Sequence, residues 1–277
     1  MKKIFNFILR LFAKGKPIVP ILRFEGIIGT GGGIGKGKIN AENQEANIKK
    51  AFSESNPSAV AIIINSPGGS PVQSSLIYQR VRYLADKKDV PVMVFIEDVA
   101  ASGGYLIACA GDEIYANQSS IVGSIGVIYS SFGFKDLINK IGVQRRVYTA
   151  GKNKSTLDPF MDEKKEDIDR LKNIQLDLHK DFIDVVEKSR STKLKKDNGI
   201  ELFSGEFWSG RKAKELGLID GIGNADQILR EKFGEKIIIK KFEKAKGWLA
   251  RKLSSENHTE QAISILEERS IWQRYGF

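Results

Sequence analysis

Three glycine-serine clusters carry the residue types best suited to chemistry: Ser66-Pro67-Gly68-Gly69-Ser70, Ala100-Ala101-Ser102-Gly103-Gly104-Tyr105 and Gly123-Ser124-Ile125-Gly126-Val127. A serine set before glycines at a helix start is exposed, and the first amides of that helix lack acceptors. Such a serine can act as a nucleophile, and such amides can stabilise an oxyanion. Glycine supplies the positive φ and the close backbone approach that this geometry demands. Taken singly, each cluster also reads as an ordinary turn, because serine and glycine are turn formers.

The elements around the clusters place them at strand ends. Ala59 to Asn65 is a near-continuous apolar run, the pattern of a strand buried on both faces, and Val92 to Ile96 repeats it. The pattern predicts a first strand after Pro17 and helices over Ala41–Ser55 and Val72–Lys87. It then predicts a short apolar helix through Ala110, strands at Glu113–Ala116, Gly126–Tyr129 and Val143–Thr149, and a helix over Lys135–Ile141. A long charged helix follows from Asp162 to Arg190, another at Arg211–Leu216, and a mostly helical tail from Lys240. Alternating buried strands and helices define an α/β domain with mainly parallel sheet, whose sites form outside the carboxyl ends of the strands. The glycine-rich stretch Gly29–Gly37 matches G-x-x-x-x-G-K from Gly32, but Ile39 stands where a phosphate loop needs a hydroxyl, so a plain loop is expected.

Composition narrows the chemistry. The 277 residues hold one cysteine, Cys109, which excludes a disulfide framework within the chain and a cysteine-rich zinc site. Its apolar surroundings suit a small buried hydrophobe. Only two histidines occur, His179 and His258, so a hydrolase built here has little histidine to use. The formal charge of +10 comes without a nucleic-acid-binding module, and the basic residues gather at the two ends and between Lys188 and Lys196. No nucleic-acid partner, metal or cofactor is expected. The stretch Met1 to Lys14 places Ile4, Phe5, Ile8, Leu11 and Phe12 on one helix face among lysines and an arginine. It is shorter than the roughly 20 residues that span a bilayer. It reads either as an interfacial helix or as a helix docked on a partner subunit.

Taken together, the motifs resemble the protease IV or signal peptide peptidase A family of serine peptidases. The likeness is carried by Ala101-Ser102-Gly103-Gly104-Tyr105, by I-N-S-P-G-G-S at 64–70, by V-G-S-I-G-V-I at 122–128, by Y-T-A-G-K-N-K-S at 148–155 and by F-S-G-E-F-W-S-G-R-K-A-K-E-L-G-L-I-D at 203–220. It covers roughly residues 18–235 and implies a Clp protease/crotonase-like fold of repeated β-β-α units with C-terminal helices. It also implies roles: Ser102 as nucleophile, Lys154 as general base, Ser124 as the hydroxyl that orients the lysine, and the amides of Gly69 and Gly103, with Gly68, as oxyanion hole. Lys152, one position after Gly151, does not fit the family's spacing and reads as a surface lysine.

Physical chemistry sets a condition on that assignment. A lysine accepts a proton only when neutral, and a free one titrates at about 10.4. Burial among apolar groups, with Ser124 as hydrogen-bond partner, is what would make the amine neutral, and Asp158 should point away. The neutral amine then takes the Ser102 proton and returns it to the leaving amine.

Domain limits follow: an amphipathic segment at 1–16, a peptidase domain at 17–239 and a helical tail at 240–277. The expected substrates are apolar peptides such as signal-peptide remnants. The resemblance implies a homo-oligomer, and one chain carrying both Ser102 and Lys154 suggests dyads completed in cis. Without a convincing membrane span, the chain is placed in the cytoplasm or peripherally on the inner face of the cell membrane. Two other classes compete, a crotonase-like acyl-CoA enzyme and a non-catalytic membrane-associated scaffold. The first needs a carboxylate beside the oxyanion site; the second needs neither Ser102 nor Lys154.

Overall fold

The run Val60–Ser66 (β2) consists mainly of β-branched residues, which fit a pleated strand packed on both faces. It pairs in parallel with Ile18–Glu25 (β1) on one side and Val92–Ala101 (β3) on the other. Ile238–Phe242 (β8) adds in parallel to the free side of β1. The computed structural model describes residues 16–30, 38–195, 199–242 and 270–276.

Beyond β3 the sheet forks. The first half of β3 pairs with Glu113–Ala116 (β4), its last three residues with Ile121–Gly123 (β5). Phe207–Ser209 (β6) lies antiparallel to β5, and Gly221–Ile222 (β7) lies parallel to β4. Every other pairing in this eight-stranded sheet is parallel.

Alternation along the strands divides the core in two. Leu22, Ile62, Ile64 and Val94 face the helices Ala41–Phe52 (α1), Pro71–Lys88 (α2) and Gly103–Ala108 (α3), and the layer includes Phe182 and Val186 of the long helix Lys165–Arg190 (α5). Val19, Ala61, Met93 and Phe95 face the other way, onto Leu229 and Phe233 of Ala225–Phe233 (α7). Each fully buried Ile or Val of this kind contributes about 1.5–3 kcal/mol relative to exposure. Two short helices, Lys135–Lys140 (α4) and Gly210–Glu215 (α6), complete the described chain up to β8.

Local chemistry fixes the helix ends. Asn40 and Asn43 form a reciprocal capping box on α1. Ser70 caps α2, whose first residue is Pro71, and Asp89 closes it in the left-handed region at φ 52°.

The mainly parallel α/β architecture agrees with the sequence, and so do the main helices to within a few residues. Two predicted strands are absent: residues 126–129 and 143–149 are irregular. Ile128, Tyr129, Val143 and Tyr148 are exposed, and no neighbouring strand among the described residues offers a ladder to these runs. Strands β5 to β8 and helix α7 are additions that the sequence pattern does not predict. Strand β8 runs across position 239, the expected end of the peptidase domain. The amphipathic 1–16 segment, the 31–37 part of the glycine-rich loop and residues 243–269 of the tail lie, save Lys16, outside the described residues.

Candidate active site

The site begins with a register. Ala101 of β3 pairs with Gly123 of β5, so Ser102 and Ser124 follow at matching positions, one residue past two adjacent parallel strands. Both serines hold positive φ, 51° and 54°, a conformation uncommon for residues with a Cβ and typical of functional turns. The Ser102 amide donates to Gly123 O at 2.8 Å and the Ser124 amide to Glu206 O at 2.7 Å. These bonds hold the backbone turned so that both serines line one cleft. Ser102 is also the residue before α3, in the strand-to-helix position of a nucleophile elbow.

The glycines are there because nothing larger fits. A Cβ on Gly69, at φ 141°, would stand 2.0 Å from Ile28 O, and one on Gly103 would stand 2.3 Å from Ser74 Oγ. A Cβ on Gly68 would meet Ala101 O, Gly103 N and Ser102 Cβ, each at 2.8 Å. The Gly68–Ser70 turn is pinned to the chain after β1: Ile28 N donates to Gly68 O and Ser70 N to Ile28 O, both at 2.8 Å. The amides of Gly69 and Gly103 have no acceptor among the described residues. That of Gly68 is already donated to Ser66 Oγ at 3.2 Å. Of the three glycine amides near Ser102, those of Gly69 and Gly103 are therefore free among the described residues and that of Gly68 is not.

Helix α3 is anchored from behind. Tyr105 is buried, and its hydroxyl donates to Leu218 O at 2.7 Å. Burial pushes the Cys109 thiol up to about 12, so this side chain is inert packing, as its surroundings implied.

The cleft holds about 860 Å³ and is lined by Ser102, Ser124 and Gly69, by Val127, Ile128 and Phe207, and by one face of α5. That face presents Lys172, Leu176 and His179, at helical spacing. Another stripe of the helix, Phe182, Val186 and Arg190, is buried. His179 Nε2 lies 3.2 Å from Ile125 O, next to Ser124. Sequence reading places His179 on a charged helix and misses its position; the only signal is its spacing from Leu176 along an amphipathic helix. No aspartate or glutamate lines the cleft among the described residues.

Lys154 lies elsewhere. It sits in an exposed turn, its amide bonded to Gly151 O at 3.2 Å, and it is not part of the cleft wall. Asp158 is turned to Arg145, 2.9 Å away, and the Phe160 amide and that arginine hold its carboxyl below the usual range. The stretches flanking Lys154 in sequence carry uncovered apolar side chains: Ile128 is 69% exposed, Phe132 79% and Tyr148 91%.

A serine at positive φ in a strand-to-helix turn, with two free amides beside it in a layered α/β fold, is an arrangement that suits a serine hydrolase. A solved structure, a mutant of the 1510-N membrane-bound stomatin-specific protease, shares the fold with a TM-score of 0.52 over 83% of this chain and all of that one, at 15% identity. The family model for Peptidase family S49 matches residues 85–236, more than half of the chain, and the chain belongs to that family of serine peptidases. It is 50% identical, over 96% of its length, to a protein of Brucella abortus (strain 2308) named Na(+)/H(+) antiporter NhaA, of which it covers 38%. It is 32% identical over 69% of its length to the chloroplastic serine protease SPPA of Arabidopsis thaliana, covering 28% of that protein. It is 31% identical over 70% of its length to protease 4 of Haemophilus influenzae, covering 32% of it. The chain therefore spans about a third of the length of these relatives.

Proposed function

We propose that the chain is a serine endopeptidase in which Ser102 is acylated, Lys154 is the general base and Ser124 orients the lysine amine. The observation that carries this reading is the Ser102 turn itself: positive φ, a place in the cleft, and the free Gly69 and Gly103 amides beside it. In the reaction Ser102 Oγ attacks the scissile carbonyl as its proton passes to the neutral amine of Lys154. The carbonyl oxygen becomes the oxyanion held by the two amides, and the lysine then protonates the leaving amine. Water repeats the sequence on the acyl-enzyme and releases the new carboxylate. The apolar lining from Val127, Ile128, Leu176 and Phe207 suits apolar side chains, in keeping with peptides such as signal-peptide remnants.

Delivery of Lys154 is assigned to a second copy of the chain. What supports this is its exposure away from the cleft and the uncovered Phe132 and Tyr148, a surface that a neighbouring copy would bury. The sequence suggests a dyad closed within one chain; the exposure of Lys154 off the cleft wall favours delivery by a neighbour instead, since an exposed amine stays solvated and charged. An acyl-CoA enzyme of the same fold is disfavoured by the absence of a carboxylate in the described cleft wall. The basic, amphipathic ends suit peripheral contact with the inner face of the cell membrane. No helix among the described residues is long and apolar enough to cross a membrane.

The test is hydrolysis of an internally quenched apolar peptide. Ser102→Ala and Lys154→Ala chains should each be inactive. Mixed and reassembled in equal amounts, they should recover roughly a quarter of wild-type activity, the share of random pairings that join an intact serine to an intact lysine. A mixture as inactive as its parts would refute delivery from a second copy, and full activity of either variant alone would refute the dyad.

A further inference from the structure

The chain places a segment of itself in the Ser102 cleft. Residues 270–273 form a helical turn, closed by Tyr275 N to Trp272 O at 2.9 Å and Gly276 N to Gln273 O at 3.1 Å. Ile271, Arg274 and Tyr275 line the same cleft as Ser102. The Tyr275 ring stands edge-on to Phe207, with centroids 5.2 Å apart and planes at 68°. Its hydroxyl points at Ser124 Oγ, 3.4 Å away, long for a hydrogen bond but in contact.

Ser124 is the hydroxyl on which the lysine amine must rest for the dyad to form. A phenol and an amine cannot occupy the same contact with one oxygen. The aromatic subsite floored by Phe207 is likewise filled by the chain's own ring, where a substrate side chain would go.

We infer that residues 270–276 are an intramolecular plug: Tyr275, seated on Phe207, covers the place of the general base at Ser124, and the segment must leave before Ser102 becomes reactive. The inference rests on the roles of Ser102, Ser124 and Lys154 proposed above. Tyr275 is held by an edge-to-face ring pair and a weak polar contact to Ser124. A ring pair of this type changes an equilibrium by roughly two- to tenfold. Such a seat is weak enough to be vacated for substrate or on docking of a second copy, and it lowers the reactive fraction in proportion to its occupancy.

The test compares full-length wild type, Tyr275→Ala and Tyr275→Phe by two measurements. Hydrogen exchange of residues 270–276 should be slowed in wild type and should speed up in Tyr275→Ala. Phosphonylation of Ser102 by a small fluorophosphonate, in which Oγ bonds phosphorus and fluoride leaves, should be roughly two- to tenfold faster in Tyr275→Ala, with Tyr275→Phe in between, because phenylalanine keeps the ring contact and frees Ser124. Wild-type exchange at the rate of an unstructured peptide would overturn the plug. Equal phosphonylation in all three chains would overturn it too while leaving Ser102 as nucleophile. No phosphonylation in any chain would overturn the nucleophile and the plug with it.

Discussion

Ser102 and Ser124 reach their places because two strands end in step, and each then turns through a positive φ that its own Cβ disfavours. Strain of this kind costs of order 1–3 kcal/mol per residue and persists only where the surroundings enforce it. Here the Gly123 and Glu206 carbonyls, each taking one of the serine amides, do the enforcing. Gly69 is the most restrictive position of the proposed oxyanion turn, since a methyl group there meets Ile28 O at 2.0 Å and its φ of 141° is one that L side chains rarely adopt. Gly69→Ala should fold but shift its amide off the oxyanion, lowering kcat by about a hundredfold or more with KM little changed. Peptide-hydrolysis kinetics, with circular dichroism to verify the fold, check this; an unaltered kcat would remove Gly69 from the oxyanion hole. At this scale the sequence was informative, because serine-glycine turns recur at the ends of apolar runs in one ordered set. The bond from the Gly68 amide to Ser66 Oγ is local, and residue spacing does not reveal it.

Among the elements, α5 has two separate tasks. One face forms a cleft wall with Lys172, Leu176 and His179, and the other ends in Arg190, whose side chain has no solvent exposure. Arg190 donates to Gly217 O at 3.0 Å and to Asp220 Oδ2 at 2.8 Å, and Lys193 adds a second cation to Asp220 at 2.6 Å. Burial raises the Asp220 carboxyl, yet the hydrogen bonds from Arg190 and Lys193 outweigh it and hold the group below the usual carboxylate range. Asp220 also accepts from the Ile114 amide of β4 at 2.8 Å, so the pair ties the helix end to the sheet. Asp220→Ala leaves a buried guanidinium without its partner and should cost about 3–5 kcal/mol in chemical denaturation. A loss under about 1 kcal/mol would show that the pair contributes little. The long helices and central strands were legible because their periodicity extends over many residues. The short strands β5, β6 and β7 are too brief to show a period. The runs at 126–129 and 143–149 have strand-like composition but no partner strand among the described residues.

For the whole molecule, the pH dependence of stability follows from the same carboxylate. A folded pKa below the unfolded value of about 3.9 gives stabilisation that is complete above that value and is lost as pH falls through the folded pKa. Denaturation curves at neutral pH and at a pH just below the unfolded value should therefore differ less for Asp220→Asn than for wild type; an identical acid loss in both would exclude this contribution. The uncovered apolar side chains of the stretches flanking Lys154 belong to this scale as well, and residue spacing alone does not show that Lys154 stands exposed and outside the wall of the cleft that holds Ser102. The most direct measurement of the central claim is to treat the protein with a fluorophosphonate and map the adduct by mass spectrometry. The account predicts one adduct on Ser102, lost in Ser102→Ala and strongly reduced in Lys154→Ala. Labelling at another residue, or equal labelling of Ser102 with and without Lys154, would contradict it.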